Sequence, residues 1–472
     1  MHNHRMELLG RHEELSRLDA AASRAGAFTA VWGRRRVGKS RLLTEWSRRR
    51  NGLYLTADQT VAPVQRRYLA AAVAERFAGF ADGDDPDWPS FFQRLANEAR
   101  RAGWPGPLIL DELPNLLAAD AHMVFALRNL LDHPEQAPNL VVCGSSHYIM
   151  HAAVVGADAP LYGRAVEAFA VEPLKPGYLR DAFPDCSTRD LVSAYAVWGA
   201  LPGYWELAAP FGRDLDSAVD TLVLDPAGSL HDEPHQLLSD DTPSGLALRP
   251  LLDAIGTGAH RVSEVARHID RPASSLPRPM ATLTAMDLVR RDTPFGSDPQ
   301  SDRRSLYHLA DPFWRFWFRV VAPNRSALAA SSRETRLGYW RKHRAALESR
   351  AWEELCRLAV PALHHADSPL ARLGPWAPAQ RYWRTNDPSF DVVAQSVDGR
   401  RILVGETRWR AWGQPIRAAV PDPTFHPEDV ATTLGIDDRE IVSVLFDAEG
   451  RGADANAPFH IVDADTVMTV LR

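Results

Sequence analysis

The stretch GRRRVGKS, Gly33 to Ser40, decides the reading of this 472-residue chain. Of 54 basic residues only three are lysines (Lys39, Lys175 and Lys342), and one of them stands here between a glycine and a serine. The stretch fits G-x-x-x-x-G-K-[ST] at Gly33, Gly38, Lys39 and Ser40. Glycines allow backbone N–H groups to approach phosphate oxygens without side-chain clashes. Lys39 supplies a compact ammonium for β- and γ-phosphates, and Ser40 a hydroxyl for Mg²⁺. An arginine fork is wider and planar, so in a chain that otherwise prefers arginine the lysine persists where arginine does not fit. Arg36 and Val37 in the loop and Arg41 after it join the expected nucleotide contacts.

The flanks agree. AFTAVW before the loop reads as a short buried strand, and SRLLTEW after it opens an apolar helical face at Leu42, Leu43 and Trp46. Phosphates would thus lie at a helix N-terminus. Downstream, GPLILDELPNL reads as an apolar strand ending in Asp111 and Glu112. An aspartate there sits by Mg²⁺, and the adjacent Glu112 is placed to act as general base on the attacking water. A third strand, NLVVCGSS, ends in Ser145 and Ser146. Either serine is placed to hydrogen-bond the water or the γ-phosphate, or to cap a following helix.

Length predicts two to four domains. The chain is 45% hydrophobic and 24% charged with a formal net charge of −6, so nucleic-acid contact needs a local basic patch. Three scattered cysteines (Cys143, Cys186 and Cys356) give no disulfide or metal pattern and suit a reducing cytoplasm. No apolar run approaches the roughly twenty residues of a spanning helix. The expectation is a cytoplasmic protein without a membrane partner, and no feature sets its oligomeric state.

With these residues in place, the chain resembles the archaeal-type P-loop ATPases, a branch of the AAA+/STAND superfamily. ELLGRHEEL, GRRRVGKS, LILDELPNL, VVCGSS and PLYGRAVEAF occur in that family's order. The resemblance implies that Gly10 and Arg11 lie by the adenine. It also implies that Gly199 and Pro202 of YAVWGALPGYW close the pocket from a helical lid, with Ala200 standing where the family has a second glycine. Arg164 of YGR resembles an arginine that reads the γ-phosphate.

From Leu246 to Pro312 three short helices and a charged strand pair, its loop near Gly296 to Asp302, read as a winged helix-turn-helix. The charges argue against strong DNA binding, since nine arginines face seven acids between Leu246 and Ala310. Arg278 is the one cation that the presumed recognition helix exposes.

The last domain holds FDVVAQSVDGRRILVGETRW, two strand-like runs around Asp398-Gly399, a two-residue hairpin signal. With Val397 and Arg400 flanking the turn, Asp391 falls opposite Glu406. Opposed like charges need a metal or an arginine to compensate them. The arrangement resembles the restriction-endonuclease-like fold, PD-(D/E)XK-like, with Asp391 and Glu406 matching its metal-binding acids and Glu353 the acid of its first helix. Arg408 replaces the motif's lysine. It shares a face with Glu406 and is expected to reach one of the two carboxylates, making a metal unnecessary.

The expected fold class is α/β, in four parts. These are a P-loop ATPase core over 1–170, a helical lid over 171–242, a winged helix over 243–328 and a degenerate nuclease-like domain over 329–472. The expected function is an ATP-binding, ATP-hydrolysing switch that uses ATP and Mg²⁺, releases ADP and rearranges its C-terminal modules, which meet a protein partner or, weakly, DNA. The alternative is an ATP-gated DNA-binding protein or metal-dependent endonuclease.

Overall fold

Phe28–Trp32 forms strand β1, apolar throughout and buried except at its end. In the computed structural model, which describes residues 8–241, 245–298, 304–365, 369–383, 389–410, 434–436, 438–449 and 459–472, this strand lies inside a five-stranded sheet. The others are β2 (Leu53–Thr56), β3 (Leu108–Asp111), β4 (Leu140–Gly144) and β5 (Glu167–Ala170), in the order β2-β3-β4-β1-β5, and all neighbouring pairs are parallel. Strands covered on both faces carry continuous apolar runs rather than alternation, which is why FTAVW, LILD and LVVCG read so plainly. Parallel strands also bring the carboxyl ends of β1, β3 and β4 to one edge, where α/β sheets bind ligands.

The chain divides into two compact units. The first comprises Met1–Leu174 with Leu201–Gly203 and Leu237–Gly245; the second comprises Lys175–Ala200, Tyr204–Gln236 and Leu246–Arg472. The segment expected as a lid is shared between them. The core of the first unit is built on Phe28, Leu55, Trp88, Phe91, Leu110 and Val142, with Leu42, Leu43 and Trp46 also buried.

In the second unit, helices Arg249–Thr257, Val262–His268 and Pro277–Ala285 precede an antiparallel pair, β6 (Val289–Asp292) and β7 (Leu306–Leu309). Residues 299–303 of the expected wing loop lie outside the described residues. Next, Phe313, Trp314, Phe316, Trp317 and Phe318 pack into the interior. The 27-residue helix Arg333–Ala359 leads to a mixed sheet of β8 (Gln380–Tyr382), β9 (Phe390–Gln395), β10 (Arg401–Arg408), β11 (Glu440–Asp447) and β12 (His460–Val462). The β9–β10 register follows the two-residue turn: Gln395 opposes Ile402, Val393 opposes Val404, and Val392 opposes Gly405. Among the described residues no helix is long and apolar enough to cross a membrane.

Candidate nucleotide site

The helix Lys39–Arg49 starts directly after Gly38, so Lys39 and Ser40 occupy its first turn, with Arg41 next. Lys39 is 5% exposed and Nζ donates to the carbonyls of Gly33 (2.7 Å) and Arg34 (3.1 Å). A buried ammonium requires such acceptors, and phosphate oxygens offer the same hydrogen bonds with a full opposite charge. The hydroxyl of Ser40 donates to Oδ2 of Asp111 at 2.8 Å. Two residues 71 apart in sequence thus converge through β1 and β3. A hydroxyl and a carboxylate oxygen this close suit Mg²⁺, a hard cation that takes oxygen ligands.

Asp111 is 2% exposed and its oxygens are fully engaged. Oδ1 accepts from the Glu112 backbone N–H at 2.9 Å, and Oδ2 also accepts from the hydroxyl of Tyr54. Burial first, and then the Asp111 charge, push the Tyr54 phenol above its ordinary range. Cys143 behaves alike: its thiol is raised by burial and next by Asp111. Neither Tyr54 nor Cys143 carries a sequence signal for this position, because β2 and β4 reach Asp111 only through strand order.

Glu112 holds a left-handed backbone conformation (φ 56°, ψ 48°) at the start of helix Leu113–Ala119. That region is costly for a residue with a Cβ and often marks functional positions. Its Oε2 accepts from Ser145 Oγ at 3.2 Å. The two serines divide the expected roles. Ser146 accepts from the Ile149 N–H and caps the short helix behind it, while Ser145 faces Glu112.

Of Gly10 and Arg11, expected by the adenine, Arg11 reaches the phosphate loop with its side chain. Arg11 is 4% exposed, and its guanidinium donates to the Val37 carbonyl (2.7 Å) and to Glu14 (2.7 Å). Pro202 lies against Gly38: a Cβ built there would sit 3.4 Å from the proline Cγ. Beside it, Gly203 N–H donates to the Arg36 carbonyl at 3.0 Å. A Cβ on Gly203 would fall 2.7 Å from Arg36 Cβ, so only glycine allows this approach. By contrast, Gly199 belongs to the second unit, where its carbonyl accepts from Trp205 Nε1 at 3.0 Å. Arg164, expected from the resemblance to read the γ-phosphate, is engaged elsewhere in this structure. Its guanidinium pairs with Asp132 at 2.9 Å and reaches the Pro160 carbonyl.

The C-terminal acids depart further from expectation. The β9–β10 pairing holds to Val392 and Gly405 and then gives way. The Asp391 carboxylate turns to Thr407, accepting from its N–H (3.1 Å) and its hydroxyl (2.8 Å). Arg408 forms no ion pair with Asp391 or Glu406 among the described residues, contrary to its expected compensating role. Glu353 pairs with Arg350 (3.2 Å) and Arg357 (3.8 Å) instead. Among the described residues no group of three or more His, Cys, Asp or Glu could hold a metal ion, so Glu353, Asp391 and Glu406 do not fit one as arranged.

Comparison with known proteins places these features in context. The family DUF234, described as Archaea bacterial proteins of unknown function, matches residues 317–418. An uncharacterized protein of Methanocaldococcus jannaschii is 25% identical over 408 residues, covering 85% of this chain and 87% of that protein. Among solved structures, the Walker-type ATPase of Pyrococcus abyssi matches with a TM-score of 0.53 and 18% identity, over 67% of this chain and 97% of its own. An Aeropyrum pernix ORC2 protein has a TM-score of 0.46 at 14% identity, over 69% and 96% respectively. The likeness to the Pyrococcus protein shows the fold of a Walker-type P-loop ATPase.

Proposed function

We propose that the chain binds ATP with Mg²⁺ at the edge formed by β1, β3 and β4, hydrolyses it, and uses the cycle as a switch for its C-terminal modules. The observation that carries this reading is the 2.8 Å contact between Ser40 and Asp111, with Lys39 beside it and Glu112 held by Ser145. On this reading Lys39 exchanges the Gly33 and Arg34 carbonyls for phosphate oxygens. Ser40 and Asp111 would hold Mg²⁺, which when bound would supply positive charge against the phosphoryl oxygens. Glu112 takes the proton of the attacking water, and its bond to Ser145 fixes the carboxylate's direction. Arg11 clamps the loop through the Val37 carbonyl, while Pro202 and Gly203 back it at Gly38 and Arg36.

The test is ATP binding and phosphate release by the natural chain and by Lys39→Ala. Removing the ammonium is expected to abolish tight binding, and hydrolysis that survives unchanged would refute the assignment.

For the C-terminal sheet we propose an interaction role rather than cleavage, a reading supported by the Asp391 carboxylate accepting from Thr407 and by the absence, among the described residues, of a cluster of acids that could hold a metal. Two cations of the strand pair are engaged internally. Arg290 binds Asp292 at 2.9 Å and Arg291 donates to Ser305 at 2.9 Å. DNA affinity at this surface is therefore expected to be weak and to depend only shallowly on salt.

A further inference from the structure

Within the second unit, β6, β7, the aromatic helix and the long helix Arg333–Ala359 bring together a chain of ion pairs that plays no part in the nucleotide site. Arg290 bridges Asp292 (2.9 Å) and Glu354 (3.6 Å). Arg350 bridges Asp292 (3.6 Å) and Glu353 (3.2 Å). Arg315 binds Glu354, and Arg357 lies 3.8 Å from Glu353 and donates to the Asp391 carbonyl at 3.0 Å.

These pairs leave donors over. Arg315 Nη1 and Arg357 Nη2 are buried without a hydrogen-bond partner, while Arg350 Nη2 and His308 Nε2 lack a hydrogen bond but each lie 3.6 Å from Asp292 Oδ2. Arg357 and His308 side chains are each 9% exposed. Buried polar groups are nearly always satisfied, and orphaned guanidinium N–H groups from two separate elements in one cluster are an exception that needs a cause. Charge points the same way. Burial first, then the charges of Arg315, Arg357 and Arg381, push Arg350 down to about 10. His308 is likewise pushed down by burial and then by Arg350, and stays neutral. Arg290, Arg315, Arg350 and Arg357 crowd around Asp292, Glu353 and Glu354, and the Arg381 charge also bears on Arg350. Asp391 offers its carbonyl to Arg357, and its carboxylate Oδ2 accepts from Thr407.

We propose that this arginine cluster is a binding site for a phosphate-monoester or inorganic-phosphate dianion. A tetrahedral oxyanion accepts from several guanidinium forks at once. The cluster is not sealed: Arg290 is 39% exposed and Arg350 19%. Bound there, the anion would tie the β6–β7 pair, the aromatic helix and the long helix together. The site is independent of the ATP-binding reading.

The experiment is calorimetric titration of the full-length chain carrying Lys39→Ala, which removes the phosphate loop as a competitor. Inorganic phosphate, adenosine 5′-monophosphate and a 5′-phosphorylated DNA oligonucleotide serve as separate probes. One-to-one binding of at least one probe is expected, weakened about tenfold or more by Arg350→Gln or Arg357→Gln, since each removes a charge-assisted hydrogen bond. Arg350→Lys keeps the charge without the fork and should weaken binding by less. Arg341→Gln, at an exposed arginine elsewhere on the helix, should leave it unchanged. The probe bound most tightly identifies the source as free phosphate, a nucleotide or a nucleic-acid end. The same substitutions beside the natural Lys39 should keep ATP affinity, which reports that the chain has folded. Failure of all three probes to bind, or affinity untouched by both glutamine variants, would overturn the site.

Discussion

At the residue scale, Asp111, the carboxylate proposed to hold Mg²⁺, is already crowded by protein donors. It accepts from Ser40, Tyr54 and the Glu112 backbone, so its orientation is set by three elements rather than by its own rotamer. Glu112 is freer, meeting Ser145 alone among the described side-chain contacts. Glu112→Gln should therefore keep geometry and ATP affinity while lowering turnover by about 10²–10⁴-fold, the usual worth of a positioned base. Fluorescent-nucleotide binding together with steady-state phosphate release separates the two effects, and equal turnover in both proteins would dismiss Glu112 as the base. Tyr54 yields a prediction about pH. Its phenol is raised in the folded chain, so its contribution to stability is full below about pH 10, where free tyrosine ionises, and is lost as pH rises towards the folded value. Tyr54→Phe should flatten the alkaline fall in stability, read as urea midpoints from pH 8 to 11; parallel curves would contradict this. The phosphate loop was legible because its chemistry is contiguous, eight residues that carry their own geometry. Tyr54 was not, because nothing within LYLT announces that β2 will lie beside β3.

Elements show the same division. The β9–β10 register was readable because a two-residue turn leaves no freedom in pairing, and the turn is well built. Asp398 Oδ1 accepts from Ser396 Oγ at 2.6 Å and from Arg400 N–H at 3.1 Å, and Gly399 sits at φ 75°. Gly399→Ala should cost about 1–2 kcal/mol by forcing a Cβ into the left-handed region. Arg408→Ala should stay within about 0.5 kcal/mol, as for a surface change away from any special contact. Urea unfolding of both variants checks the pair, and a large loss at Arg408 would revive its compensating role. What the register could not tell was where the Asp391 carboxylate goes. Pairing predicts which backbones oppose each other, whereas the strand end lets a short side chain choose a donor N–H and hydroxyl on Thr407 over a like charge on Glu406. The arginine cluster was beyond reach for a further reason. Its arginines run from Arg290 to Arg381, and only the packing of four separate elements makes them neighbours.

For the whole molecule, the question is how a nucleotide could be felt outside its own unit. The passage from Gly203 to Tyr204 is the place to look, since these consecutive residues belong to different units. Gly203 N–H donates to the Arg36 carbonyl in the phosphate loop, so on the proposed reading a change in the loop would reach it first. Tyr204 is fully buried in the second unit, its ring 4.5 Å from that of Phe313, so it cannot absorb a displacement by swinging into solvent. A tether fixed at both ends transmits strain instead of dissipating it, because close-packed interiors deform in discrete steps. Amide exchange over Tyr204–Ala208 should accordingly differ between the ATP- and ADP-loaded states of Glu112→Gln, the variant that holds ATP long enough to measure. Gly203→Ala should remove that difference and weaken nucleotide binding about tenfold, since its Cβ would drive Arg36 out of place. Identical exchange in the two nucleotide states would leave an ATPase standing but would end the case for a switch.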